Sequence, residues 1–154
     1  ELGRRGLVYD TWHYHHQNVD FCDLAEAVTD TTLVLDHFGT PLGVGIYRNA
    51  SDAIFQQWKE DIRRLSRYPN VVAKLGGLAM PDNGFGWDKR DCPPDSIECF
   101  GPERCMFESN FPVDRLSVSY PVVWNAFKKM VADFSESEKH AMFYETARRV
   151  YRLP

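Results

Sequence analysis

The sequence of 154 residues predicts an α/β fold, and three observations carry that prediction. Four short apolar runs, "GLVYDTW" (6–12), "TTLVLDHFG" (31–39), "NVVAKLGGL" (70–78) and "RCMFESNFP" (104–112), each start apolar and end polar. Near-continuous apolar strands suit a parallel sheet covered on both faces. Segments with helical periodicity separate or follow the runs, the pattern of alternating strands and helices that makes an α/β domain.

Each element has its own warrant. After the first run, residues 19–28 read as a short helix. Between the second and third, Ile54, Phe55, Trp58, Ile62 and Leu65 recur at helical spacing, with Ser51 as the expected N-cap. From Tyr120 to Val131, the apolar Val123, Phe127, Met130 and Val131 share one side. The last helix opens at "SESE", where Ser135 and Glu138 have the spacing of a capping box, and runs to about Tyr151.

Composition narrows the function classes. Hydrophobic residues make up 44% and aromatic residues 14% of the chain, enough for one packed domain rather than a disordered segment. The net charge is −4 and no basic stripe is present, so nucleic acid is not an expected partner. No apolar run is long enough to span a membrane. There is no signal peptide, and with no initiator Met a missing N-terminus stays open. Cys22, Cys92, Cys99 and Cys105 form no Cys-x-x-Cys pair, which argues against a zinc knuckle or a redox motif. Free thiols in a reducing, intracellular compartment are expected, with one disulfide among the last three left open.

In parallel sheets, ligands gather at the carboxyl ends of the strands. There lie Trp12 and the histidines of "HYHH", Asp36 and His37, Lys74 to Gly77, and Ser109 with Asn110. Two long Gly/Pro-rich loops follow these ends, the kind that line sites as often as they merely connect. His13 and His15 would share a face if their stretch were a strand. A tetrahedral zinc site needs four ligands from several elements, and only His37 is otherwise well placed, so the set is incomplete.

At "LVLDHFGTPLG", "NVVAKLGGLAMP", "GFGW", "FGPERCMFESNFPVD" and "ARRVYRL" the chain closely resembles the amidohydrolase-2 family of TIM-barrel hydrolases, relatives of sugar and pyrone-dicarboxylate lactonases. The resemblance runs over nearly the whole chain. It implies that residues 1–154 are one incomplete domain, the C-terminal half (strands five to eight) of a (β/α)8 barrel that needs about 250 residues. The family's His-x-His on strand one then falls in the other half. A family helix of about fifteen residues before the last strand is nearly gone, only "IECF" remaining. "HYHH" follows strand five, where Trp12, Tyr14, His15 and Gln17 fit the family's pattern, while His13 and His16 are extra and expected at the surface or rim.

The resemblance makes His37 and Asn110 the catalytic candidates. It gives His37 the task of polarising a lactone or ester carbonyl. Many relatives carry Asp where this chain has Asn110; an amide can orient water or bind substrate but cannot serve as a base near neutral pH. Glu108, two residues earlier and on the same face, is a substitute base or a buried structural carboxylate. Lys74 could pair with a substrate anion, Glu108 or Asp36. Substrate-binding candidates are His15, Gln17, Arg48, Lys74 and Trp87. A divalent metal such as zinc and metal-free catalysis both stay open, with no ligand assigned. The expected function is hydrolysis of a lactone, ester or related small-molecule carbonyl substrate. The alternative is a catalytically inactive, amidohydrolase-derived subunit of a larger assembly. Four strands cut from a barrel leave two open edges, so another chain or copy is expected to close it.

Overall fold

The computed structural model describes residues 1–81 and 94–154. Four strands, β1 (Val8–Thr11), β2 (Thr32–Leu35), β3 (Val71–Leu75) and β4 (Cys105–Phe107), form one parallel sheet in the order β1-β2-β3-β4. The crossovers carry α1 (Asn18–Ala27), α2 (Ser51–Leu65) and α3 (Pro94–Phe100). After β4 come α4 (Tyr120–Met130) and α5 (Glu136–His140), which continues through a π-helical turn (Ala141–Glu145) into α6 (Thr146–Tyr151).

The strands are shorter than the apolar runs because each run ends by leaving the ladder. "DHFG" closes into a tight turn with His37 and Phe38 in the left-handed region rather than extending β2, and Asn110 sits in a left-handed turn beyond β4. The capping box at Ser135 and Glu138 is present. Helix α2 begins at Ser51 with Ala50 at the N-cap, one residue earlier than the spacing predicts. The helix before the last strand persists as the seven-residue α3 rather than disappearing.

Alternation along the strands sorts the sheet's two faces. Leu33 and Leu35, Ala73 and Leu75, and Cys105 and Phe107 point to the helical side. There they pack with Phe21 and Cys22 of α1, Trp58, Ile62 and Leu65 of α2, Ile97 and Phe100 of α3, and Val123 and Phe127 of α4. The opposite face carries Val34, Val72 and Met106, covered by Val150 with Ala147 and Tyr151 beside it. In a closed barrel, helices form the outer ring and this second face lines the interior. Helix α6 enters from beneath the strands: Thr146 Oγ1 donates to the Glu103 carbonyl at 3.2 Å, just before β4, and Arg152 lies against Gly6, just before β1.

Arg104 ties the lower edge together, donating to the carbonyls of Ser66 (2.7 Å), Tyr68 (2.9 Å), Phe100 (3.1 Å) and Val71 (3.3 Å). Cys22 and Cys105 are buried thiols outside any disulfide, whereas Cys92 lies outside the described residues. Among the described residues, no helix is long and apolar enough to cross a membrane.

Leu65 is fully buried where α1, α2 and the sheet meet. Leu65→Ala is expected to cost about 2–5 kcal/mol by urea denaturation. The control Leu116→Ala, at a side chain 78% exposed, should stay within about 0.5 kcal/mol.

Candidate active site

Beyond β2 the backbone turns left-handed. His37 (φ 52°), Phe38 (φ 55°), Gly39 (φ 67°) and Thr40 (φ 35°) all have positive φ. For residues with a Cβ this is a costly region, held only where surrounding contacts over-determine it. Trp58 Nε1 of α2 donates to the Phe38 carbonyl at 2.5 Å, Trp12 Nε1 donates to Thr40 Oγ1 at 3.1 Å, and the His15 amide donates to the Thr40 carbonyl at 3.1 Å. The turn swings the His37 side chain across the ends of β3 and β4.

There it meets Gly76 and Gly77. A Cβ on Gly77 would stand 2.6 Å from His37 Cγ, and one on Gly76 would stand 2.1 Å from Glu108 Cγ. Both are closer than real Cβ contacts, so the glycine pair is what lets the two side chains approach. His37 Nδ1 lies 2.5 Å from Glu108 Oε1, with both side chains largely buried. An ionised Glu108 only accepts, so the imidazole donates through Nδ1, and in neutral His37 the lone pair is then on Nε2.

Asn110 (φ 50°) stands in the turn after β4. Its Nδ2 donates to Asp114 Oδ1 at 2.7 Å, and the Ala79 amide donates to Asp114 Oδ2 at 3.3 Å. Asp114 is 1% exposed, and burial raises its pKa against the pull of Asn110, Ala79 and His37. With one Nδ2 hydrogen on Asp114, Asn110 can still offer its second N–H and its carbonyl oxygen.

Below this level, on the interior face, Lys74 Nζ stands 3.2 Å from Asp10 Oδ1 and 3.3 Å from Asp36 Oδ1. The Asp36 contact pairs charges but lies off the hydrogen-bonding direction, since Asp36 Oδ1 has no hydrogen-bond partner. The ammonium also sits over the Tyr151 ring, 5.3 Å from its centre, and Tyr151 Oη donates to Asp10 at 2.6 Å. Burial opposes the Lys74 charge, but Tyr151 and Asp36 outweigh it and hold its pKa above the usual lysine value. Burial raises Asp36, with Lys74 working against it.

"HYHH" is not a strand. β1 ends at Thr11, and His15–Gln17 form a 3-10 turn, so His13 and His15 share no strand face. His13 is half-buried, with Nε2 2.9 Å from Asn18 Oδ1 and its ring against Phe21. His15 is buried, and its Nδ1 accepts from the Leu42 amide at 3.2 Å. His16 is exposed and stacks on Tyr47. Gln17 accepts from the Tyr14 amide at 3.1 Å within the turn. Arg48 is exposed. Trp87 and "GFGW" lie outside the described residues.

The structure therefore gathers His37, Glu108 and Asn110, with Lys74 beneath, and gives His15 and Gln17 local structural partners. Sequence reasoning missed Asp114, Asp10 and Tyr151. Alternation with Val8 places Asp10 on the interior face; nothing in the local sequence points Tyr151 there. Asn110 is a poor cation ligand, and His37 and Glu108 are bonded to each other. Among the described residues, no three His, Cys, Asp or Glu side chains converge to hold a metal ion, so these donors do not make a metal site by themselves.

Comparison with known proteins places the chain in one family. The amidohydrolase family profile matches residues 1–153. The chain is 38% identical over 156 residues to the uncharacterised protein y4mH of Sinorhizobium fredii, covering 99% of this chain and 50% of that one. It is 33% identical over 164 residues to L-fucono-1,5-lactonase of Burkholderia multivorans, covering 99% and 54%. A crystal structure of an amidohydrolase from Burkholderia multivorans with bound HEPES superposes with a TM-score of 0.84 at 29% identity, covering 99% of this chain and 55% of that one. A second structure of that amidohydrolase, with bound zinc, gives a TM-score of 0.83 at 28% identity, again covering 99% and 55%. The chain thus spans about half the length of the curated relatives it matches.

Two tests follow from the geometry. Gly77→Ala, at φ 67° and against the His37 ring, should lower the thermal midpoint and separate His37 from Glu108, read as loss of the low-field Nδ1 proton signal by NMR. The second concerns pH. Burial lowers the pKa of both His13 and His15. The unfolded chain, with ordinary histidines near 6.5, therefore binds protons that the native state resists, and stability falls as pH drops below about 6.5. Urea midpoints measured from pH 7.5 to 5.5 should decline, and His15→Gln should flatten the decline.

Proposed function

This chain belongs to the amidohydrolase family, and we propose that it supplies half of the active site of a hydrolase acting on a lactone, ester or related carbonyl compound. In this reading residues 1–154 are one incomplete domain. Its strands β1 to β4 take the places of strands five to eight of an eight-stranded barrel, and a further segment, chain or copy supplies the remaining strands. The outer edges of β1 and β4, paired with no further strand among the described residues, and the half-length match to relatives support it.

The observation that carries the chemistry is the 2.5 Å contact between His37 Nδ1 and Glu108. Because Nδ1 donates to the carboxylate, neutral His37 presents a lone pair at Nε2. It acts as a proton acceptor rather than as the donor that would polarise a carbonyl. Water positioned by the Asn110 carbonyl oxygen gives its proton to Nε2 as its oxygen bonds to the lactone carbonyl carbon. The tetrahedral intermediate collapses with cleavage of the ring C–O bond, and the leaving oxygen takes the proton back from Nε2, releasing a hydroxy acid. Glu108 holds the ring orientation and stabilises the imidazolium formed in between, the role a carboxylate plays behind a catalytic histidine. Asn110 cannot replace either group, since an amide does not accept the proton. Arg48 and Trp87 serve as substrate contacts in this reading, while His15 holds the segment after His37 through the Thr40 carbonyl and the Leu42 amide; Gln17 closes its own turn on the Tyr14 amide.

A second reading, a non-catalytic subunit built from an amidohydrolase half, draws on Asn110, an amide at a position where the family resemblance implies a carboxylate. The native mass of the particle separates the two: a partner that completes the barrel favours the enzyme, and unrelated subunits favour the alternative.

The direct test is hydrolysis of a panel of aldonolactones by the isolated protein with its barrel partner, with L-fucono-1,5-lactone as the first probe. His37→Gln should lower kcat by about 10²–10⁴-fold, the usual contribution of a general base. Glu108→Gln should lower it less, with KM little changed. Hydrolysis that survives His37→Gln would sink the mechanism, and a completed barrel inert to the whole panel would sink the lactonase reading.

A further inference from the structure

Lys74 stands at the centre of the interior face and is spent on the protein itself. The ladder pairs Leu35 with Ala73 and Lys74 with Met106. One residue past β2, Asp36 continues this register to the level of Lys74, and Glu108, one residue past β4, is the next interior position after Met106. Lys74 thus has Asp36 on one side, Glu108 diagonally on the other and Asp10 within 3.2 Å from β1. Asp36 is covalently next to His37, and Glu108 is bonded to it. From below, the Tyr151 ring supports the ammonium and its hydroxyl holds Asp10.

We propose that Lys74 is a positioning residue, the half-buried countercharge through which the floor helix α6 holds the His37–Glu108 pair in its working geometry, and not a contact for substrate. The proposal rests on the hydrolase reading for its kinetic consequence, but its structural core is independent of it. Three carboxylates, Asp10, Asp36 and Glu108, share this face, and Asp114 lies close enough to Glu108 and His37 to interact with both. Like charges at short range in a partly buried site repel strongly. Without the ammonium, the repulsion between Asp36 and Glu108 is unopposed and strains the His37–Glu108 contact, although Trp58, Trp12 and His15 still hold the turn's backbone. Tyr151 makes the arrangement depend on α6, the last helix of the chain. The "ARRVYRL" stretch thereby acquires a function that its amphipathic pattern does not suggest.

The experiment compares wild type, Lys74→Met, Lys74→Arg and Tyr151→Phe in the intact protein. The first readout is the low-field Nδ1 proton of His37, identified by its loss in His37→Gln. Lys74→Met should broaden or abolish that signal, Lys74→Arg should retain it, and Tyr151→Phe should weaken it. The second readout is lactone hydrolysis, where Lys74→Met should lower kcat about tenfold or more, with KM for neutral lactones within about twofold. If Lys74→Met fails to fold, the charge-neutral pair Lys74→Met with Asp36→Asn should fold and regain the signal; failure of that pair overturns the proposal. An unchanged His37 signal in folded Lys74→Met also overturns it, as does a rise in KM confined to anionic lactones, which would make Lys74 a substrate contact. If wild type hydrolyses no lactone, the hydrolase reading falls while the NMR comparison still decides the role of Lys74.

Discussion

Close approach between the His37 ring and the Gly76–Gly77 backbone is the constraint on which the site depends. An imidazole can lie across the ends of two neighbouring strands only if the strand between it and its carboxylate partner carries no side chains there. Two glycines provide that gap, and a methyl group at either would stand within 2.6 Å of its neighbour. The left-handed turn at 37–40 is the other half of the same constraint. It aims the ring across the sheet and is held by Trp58 from α2 and by Trp12 and His15 from the segment after β1. Apolar packing of α2 against the sheet therefore has a chemical consequence: it places the tryptophan that pins the turn.

The interior face joins stability to function in a similar way. Its lower layer is apolar, with Val34, Val72 and Met106 under Val150. Its upper layer is ionic, with Asp10, Asp36, Lys74 and Glu108. The change occurs within one residue pair along each strand, because alternate residues on a strand share a face. Charged groups on such a face persist only when paired. Here the lysine meets two carboxylates, and the third carboxylate meets His37. Removing one member leaves the others unbalanced, so these residues are coupled, and single substitutions among them are not expected to add.

Membership of the amidohydrolase family and a span of about half the relatives' length explain why the described site is one-sided. His37, Glu108 and Asn110 come from the ends of β2 and β4. In a barrel enzyme, catalytic groups come from the ends of several strands around the rim; under the proposed reading, the groups facing these three would belong to the strands that complete the barrel.

Much of this was legible in the residues alone. Apolar runs and helical spacing determine the alternation of strands and helices, because burial on a sheet face and on a helix stripe impose different periods. The polar strand ends put His37 and Asn110 among a wider set that the family resemblance then narrowed, and the capping box at Ser135 marked the start of the last helical segment. Local pattern could not show that "HYHH" leaves the strand at Thr11, that His15 is spent on the Leu42 amide, or that His37 meets Glu108 rather than Asp36. Those outcomes depend on backbone torsions at 37–40 and on contacts between residues 71 positions apart, neither of which has a local periodicity. The direction of Lys74 is of the same kind. Alternation puts it on the interior face, but only the docking of α6 beneath the sheet brings Tyr151 to it and turns a candidate substrate contact into part of the protein's own charge balance.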